Sequence, residues 1–168
     1  MTETLFKPDA LTPAEMVEKA ITVAETKAAN HWLNTSYLAI LAGMYIAFGA
    51  LFASVVSVGM PGVWPYGVMK LLQGVVFSMG LILVVVGGAE LFTGNALMVM
   101  ALARRKITLV SLFKNWLIVY IGNFVGSLLV VFFVLLSKEY LVSGGKLGEL
   151  MLSIANTQLH YGSVQALV

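Results

Sequence analysis

The chain has 168 residues, 60% hydrophobic and only 11% charged, with a mean hydropathy of +0.93. Soluble domains are nearer half apolar and a quarter charged, so the composition points to a bilayer rather than water as the main solvent. A net charge of +2 without a basic patch argues against a nucleic-acid partner, and the absence of cysteine excludes disulfides, thiol catalysis and thiolate metal sites.

Residues 1–35 are the one stretch with a soluble character. The opening MTETLFKPDALTPAE has no basic region followed by an apolar core, so no cleavable signal peptide is expected. LTPAE reads as a helix start, with Thr12 as N-cap, Pro13 in the first turn and Glu15 closing a capping box. Met16, Val17, Ala20, Ile21 and Ala24 then recur at helical spacing, opposite Glu18, Lys19, Glu25 and Lys27. This predicts a short amphipathic helix lying on the membrane surface or on the protein body.

A first span is expected over about 36–58, followed by GMPGVWPYG, a Pro/Gly turn with Trp64 and Tyr66 suited to an interface. A second apolar stretch covers about 68–103 and a third span about 112–137. SKEYLVSGGKLGEL reads as a loop, and from about residue 160 the chain turns apolar again, as at the start of a fourth span. Seven lysines and arginines (Lys7, Lys19, Lys27, Arg104, Arg105, Lys106, Lys114) fall on one side of this arrangement, and three (Lys70, Lys138, Lys146) on the other. The positive-inside rule then puts the N-terminus in the cytoplasm.

The second stretch does not fit one helix. Leu71–Ala103 contains 33 residues, about 50 Å as a continuous helix, against a hydrocarbon core of roughly 30 Å. Two spans would leave no room for a turn. A single helix broken near 88–95 solves the problem, and GGAELFTGN supplies the residues. Gly87 and Gly88 loosen the helix, Gly94 permits a sharp turn, and Thr93 or Asn95 can cap the returning half. Irregular backbone at membrane depth is tolerated only inside protein or along a polar cavity, and broken helices of this kind build transport sites. Amides at the start of the returning half carry partial positive charge and favour anions. Glu90, the one charge between Lys70 and Arg104, is therefore expected to brace the loop rather than bind an anion, with a proton-relay role as the alternative.

VVVGGAELFTGN, together with LAGMYIAFG in the first span and KNWLIVYIGNFVG in the third, resembles the formate/nitrite transporter family. The resemblance runs the length of the chain and reaches slightly past the first half of a family member. It implies an all-α, polytopic membrane fold: an aquaporin-like, inverted-repeat helical bundle of six spans, whose first repeat has the broken second helix. It further implies a homopentamer in a bacterial inner membrane, with one pore through each protomer. On this likeness Thr93 faces the pore, Leu91, Phe77 and Leu81 form apolar constrictions, and Phe92, Gly94 and Asn95 lie along the same path. Phe77 and Leu81 are four residues apart and share a helix face.

Two departures are visible. The histidine that family members carry in the second repeat has no counterpart here, since His31 and His160 read as interfacial. Where many members have a vestibule lysine before the fourth span, this chain has Gln158, and Gln165 stands where formate channels tend to have glutamate. In the third span Gly122 and Gly126 have the small-xxx-small spacing of close helix packing, and Asn123 between them can bond across helices.

The expected function is a passive channel for formate or a similar small monovalent weak-acid anion, in one version gated by pH. Nitrite and hydrosulfide are alternatives within the family. A non-transporting membrane anchor or assembly subunit is the alternative of another class. No enzymatic activity, metal or cofactor is expected. The partners are the anion, the lipid bilayer, further copies in a pentamer and, if the chain is split, a complementary C-terminal half with spans four to six. The amphipathic N-terminal helix is a candidate plug of the cytoplasmic mouth.

Overall fold

The computed structural model describes residues 11–162. Lys7, Gln165 and most of the stretch expected to begin a fourth span lie outside the described residues.

Helix α1 (Pro13–Ala29) starts with the expected capping box. Thr12 Oγ1 accepts from Glu15 N–H at 3.4 Å, and Glu15 Oε2 accepts from Thr12 N–H at 2.8 Å. Three longer helices follow, α2 (Trp32–Ser57), α3 (Tyr66–Val86) and, after the break, α6 (Leu109–Leu136). Each is long and apolar enough to cross a membrane. Between α3 and α6 lie α4 (Phe92–Asn95), one 3-10 turn (Ala96–Met98) and α5 (Val99–Ala103).

Helix α2 is the centre of the bundle, with α3 on one side and α6 on the other. Small residues set both approaches. Gly49 and Gly80 meet where α2 crosses α3, and a side chain at Gly80 would press within 2.8 Å of the Tyr45 carbonyl oxygen. On the other side a methyl group at Gly43 would overlap the Asn123 backbone, and one at Gly126 would overlap the Ile40 carbonyl. Helices in lipid associate through such close packing because burial of apolar surface gives little drive there. The outward faces of α3 and α6 stay apolar and uncovered, including Val75, Ile82, Val86, Leu117, Phe124 and Phe132. That is the surface lipid or further apolar helices require.

Helix α1 packs on the protein body. Ile21 and Ala24 are buried with Met98, Ala101 and Leu112, and Ala28 joins them. The predicted apolar face is thus rotated: Met16 and Val17 remain exposed, while Lys27, assigned to the polar face, turns inward. The reason is helical phase, because Lys27 is three residues from Ala24 and shares its face. Exposed ion pairs Glu18–Arg104 (3.6 Å) and Glu25–Lys106 (3.8 Å) place α1 beside the α5–α6 loop.

The loop expected after the third span is only partly a loop. Lys138, Ser143, Gly144 and Gly145 have positive φ, and then α7 (Lys146–Leu159) forms an unforeseen helix. Its anchor is Leu147, fully buried, with Gly148 against Tyr140. Leu147, Leu150, Met151 and Ile154 recur at helical spacing, a signal overridden by the weight given to the glycines.

Candidate functional site: the break after α3

The break is built by chain termination on one side and by neighbouring helices on the other. Helix α3 ends in a Schellman motif: Ala89 N–H donates to Val84 O at 2.9 Å and Gly88 N–H to Val85 O at 3.3 Å. Gly88 is left-handed, φ +60°, the conformation glycine tolerates best. Ala89 and Val84 then bury together against Ala42 of α2. The sharp turn therefore sits at Gly88, whereas Gly94, expected to make it, is inside α4.

The next residues leave the helix but keep their backbone partners. Glu90 N–H donates to Leu38 O of α2 at 3.1 Å. Leu91 is extended, φ −99° and ψ 133°, and is the N-cap position of α4. Neither Thr93 nor Asn95 caps this helix, because both lie within it. The cap comes from α6: Phe92 N–H donates to Asn123 Oδ1 at 2.9 Å. Asn123 Nδ2 donates in turn to Glu90 O (2.9 Å) and Ala39 O (2.8 Å). Buried backbone groups need such partners wherever water is absent.

Below Leu91 a polar knot closes the site. Glu90, whose side chain is 6% exposed, accepts from Lys27 Nζ at 2.9 Å and from Asn95 Nδ2 at 2.6 Å. Lys27 Nζ also donates to Asn95 Oδ1 at 2.6 Å, and Asn95 Nδ2 to Asn115 Oδ1 at 2.8 Å. Trp116 Nε1 donates to Asn95 O at 2.9 Å. Every buried side-chain polar atom described has a partner. The carboxylate is thus paired with a lysine from a sequence-distant helix and hydrogen-bonded by the side-chain amide of Asn95 in α4.

The expected path residues separate into two groups. Leu81, Leu91, Thr93 and Gly94 line one cavity of about 320 Å³, together with Val84, Val85, Gly88, Ala89 and Lys27. Phe77 lies one turn from Leu81 on α3, partly exposed and outside that lining. Phe92 and Asn95 face the other way. Phe92 stacks edge-on with Tyr120 at 5.7 Å and tilts against Trp116 at 6.0 Å, and Asn95 is fully buried in the knot. Gln158 is exposed in the last turn of α7. His31 accepts from Leu33 N–H and caps α2, and His160 bonds Asn156 O at the end of α7; both are exposed.

Lys27 and Asn115 are site residues that sequence reasoning did not assign; Asn123, expected to bond across helices, does so at Ala39 O, but its bonds to the break were not foreseen. Asn115 and Asn123 are eight residues apart in an apolar helix, a spacing that gives them one face. Polar residues stranded on one face of such a helix were the available signal.

The family model for the formate/nitrite transporter matches residues 14–168. The chain belongs to the formate/nitrite transporter family. Within it, the chain is 44% identical over 158 residues to the formate channel FocA of Escherichia coli (strain K12), a match covering 94% of this chain and 55% of that protein. It is 37% identical over 133 residues to a probable formate transporter of Methanothermobacter thermautotrophicus, covering 78% of this chain and 48% of the relative. A solved pentameric formate channel with formate bound superposes with a TM-score of 0.68 at 34% identity, over 92% of this chain and 55% of that one. The chain thus spans about half the length of these relatives, and the broken helix with its signature lies inside the matched region.

Proposed function

We propose that the protein forms a passive membrane channel for formate or a similar small monovalent weak-acid anion, and that the break after α3 is half of the path. The observation carrying this reading is the joint lining of one cavity by Leu91, Leu81 and Thr93, beside a break whose polar groups are otherwise consumed. Leucines at a neck make passage costly for a hydrated ion, since an unpaired charge at mid-bilayer costs at least about 2.5–3.5 kcal/mol. Thr93 offers a hydroxyl at that neck. The N–H groups of Thr93 and Gly94 have no intrahelical acceptor so early in the returning helix, and they carry partial positive charge. A small weak acid can be held there by these donors, or cross in neutral form, without covalent chemistry.

Glu90 serves as the brace. Its charge is balanced by Lys27, so the break presents donors to an anion instead of a naked carboxylate. The further parts of the proposal are a homopentamer, an inner-membrane location, a cytoplasmic N-terminus and pH gating through α1. Docking of α1 on the break through Lys27 supports the last of these, and the shared side of α1 and the Arg104–Lys106 loop supports the orientation. The likeness to a pentameric formate channel supports the assembly and the anion.

The test is flux in proteoliposomes holding the natural protein, with formate, nitrite and hydrosulfide compared across acid and neutral pH. Formate passage that saturates weakly and needs no energy source supports the reading. Preference for nitrite or hydrosulfide would reassign the anion, and no flux of any of them would refute the channel.

A further inference from the structure

We propose that Asn123 is the positioning residue of the neck, a clasp on α6 that fixes how Leu91 and Thr93 face the path. This rests on the channel reading for its consequence in transport, but its structural content stands apart from it.

A carboxamide offers two N–H donors and one oxygen with two lone pairs. Asn123 uses both faces of that group on the same residue's flanks: Nδ2 donates to Glu90 O at 2.9 Å, and Oδ1 accepts from Phe92 N–H at 2.9 Å. The two bonds bracket Leu91, whose extended backbone is then paired as it would be beside a neighbouring strand. A third bond, from Nδ2 to Ala39 O at 2.8 Å, ties the same amide to α2. The amide itself cannot drift. Gly43 lets α2 rest directly on the Asn123 backbone, and Gly122 and Gly126 bring the flanking turns of α6 against Ala39 and Ile40.

Leu91 lies outside the body of both flanking helices, and α4 holds it only through its carbonyl, which accepts from Asn95 N–H at 3.0 Å. Its side chain points into the cavity shared with Leu81 and Thr93 only while its two peptide groups keep this orientation. Glu90 and Asn95 pin the break further along, through Lys27, Asn115 and Trp116, and do not touch the peptide units on either side of Leu91 through their side chains. Asn123 alone among the described side chains bonds both. Aspartate in its place would keep an acceptor for Phe92 N–H but set a carboxylate against two carbonyl oxygens. Alanine would leave all three backbone groups without their partner.

These 168 residues hold no cysteine, so a thiol placed among them is the one reactive thiol there. Thr93→Cys is introduced into the full chain and its rate of modification by a small charged methanethiosulfonate is measured, with Ser153→Cys on the exposed side of α7 as control. Adding Asn123→Ala should change the Thr93→Cys rate about tenfold or more, because the break then samples other orientations, and leave the Ser153→Cys rate unchanged. Asn123→Asp should act in the same direction, and Asn123→Ser serves where alanine prevents folding. Formate-against-lactate selectivity should also fall with Asn123→Ala, and fall no further when Leu91→Ala is added. An unaltered Thr93→Cys rate in a folded variant overturns the proposal. So does an equal change at Ser153→Cys, which would mean general loosening of the fold. If the rates shift as expected but the natural protein conducts no anion, the clasp stands and the channel reading falls.

Discussion

Replacing Lys27 by methionine keeps most of the side-chain volume and removes one charge from the knot under the break. Glu90 is then left with its side chain 6% exposed and with only Asn95 Nδ2 as a side-chain donor among the described residues. Breaking a buried pair by removing one partner costs about 3–5 kcal/mol, chiefly through the charge left behind. Because Lys27 is itself 23% exposed, water reaches part of the site, and the low end, about 3 kcal/mol, is the expected loss. For a chain of this length, that corresponds to a fall in Tm on the order of 10 °C. The double variant Lys27→Met/Glu90→Gln removes the orphaned charge and should recover more than half of the loss. The assay is thermal unfolding of the purified protein in one detergent for the natural chain, both single variants and the double. Equal Tm for Lys27→Met and the double variant would refute the reasoning, because it would mean that the Lys27–Glu90 ion pair does not carry the loss.

Other outcomes follow from the same structure. Gly126→Leu should abolish stable expression, since any side chain there meets the Ile40 backbone rather than a movable side chain; recovery of folded protein at the natural level would contradict this packing. Leu91→Ala should raise formate flux several-fold and weaken exclusion of larger monocarboxylates, read as the ratio of the two rates. The Thr12 backbone N–H, and then its hydroxyl, hold the Glu15 carboxyl below the ordinary carboxylate value. A depressed value means the capping box stabilises the start of α1 above the ordinary carboxylate range. That stabilisation is lost as pH falls through the lowered value. Amide protection at Glu15 and Met16 should decline over that acid window and become insensitive to it in Glu15→Gln, which has no carboxyl to protonate.

Much of the architecture was legible because bilayer-spanning helices are governed by length and hydropathy, which the sequence states directly. The break was legible for the same reason: too many residues for one crossing, with glycines at the right depth. The capping of α1 was legible because its four residues are contiguous. What escaped was everything made by residues far apart. The Schellman turn at Gly88 rather than Gly94 depends on which carbonyls α3 leaves open. The cap on α4 comes from Asn123, and the counter-charge to Glu90 from Lys27, 63 residues earlier. A helical-wheel reading could put Lys27 on the polar face only by ignoring that Ala24, three residues earlier, shares its side. Helix α7 was lost to its two preceding glycines, which end a loop rather than extend it.

The central claim is that anions pass the break beside Thr93. The measurement that meets it most directly is formate flux through Thr93→Cys in proteoliposomes before and after complete modification with a bulky thiol reagent, the natural protein under the same treatment serving as baseline. The account expects measurable formate flux before modification and its loss afterwards, with flux through Ser153→Cys on the exposed side of α7 unaffected by the same treatment. Undiminished flux through fully modified Thr93→Cys would contradict it.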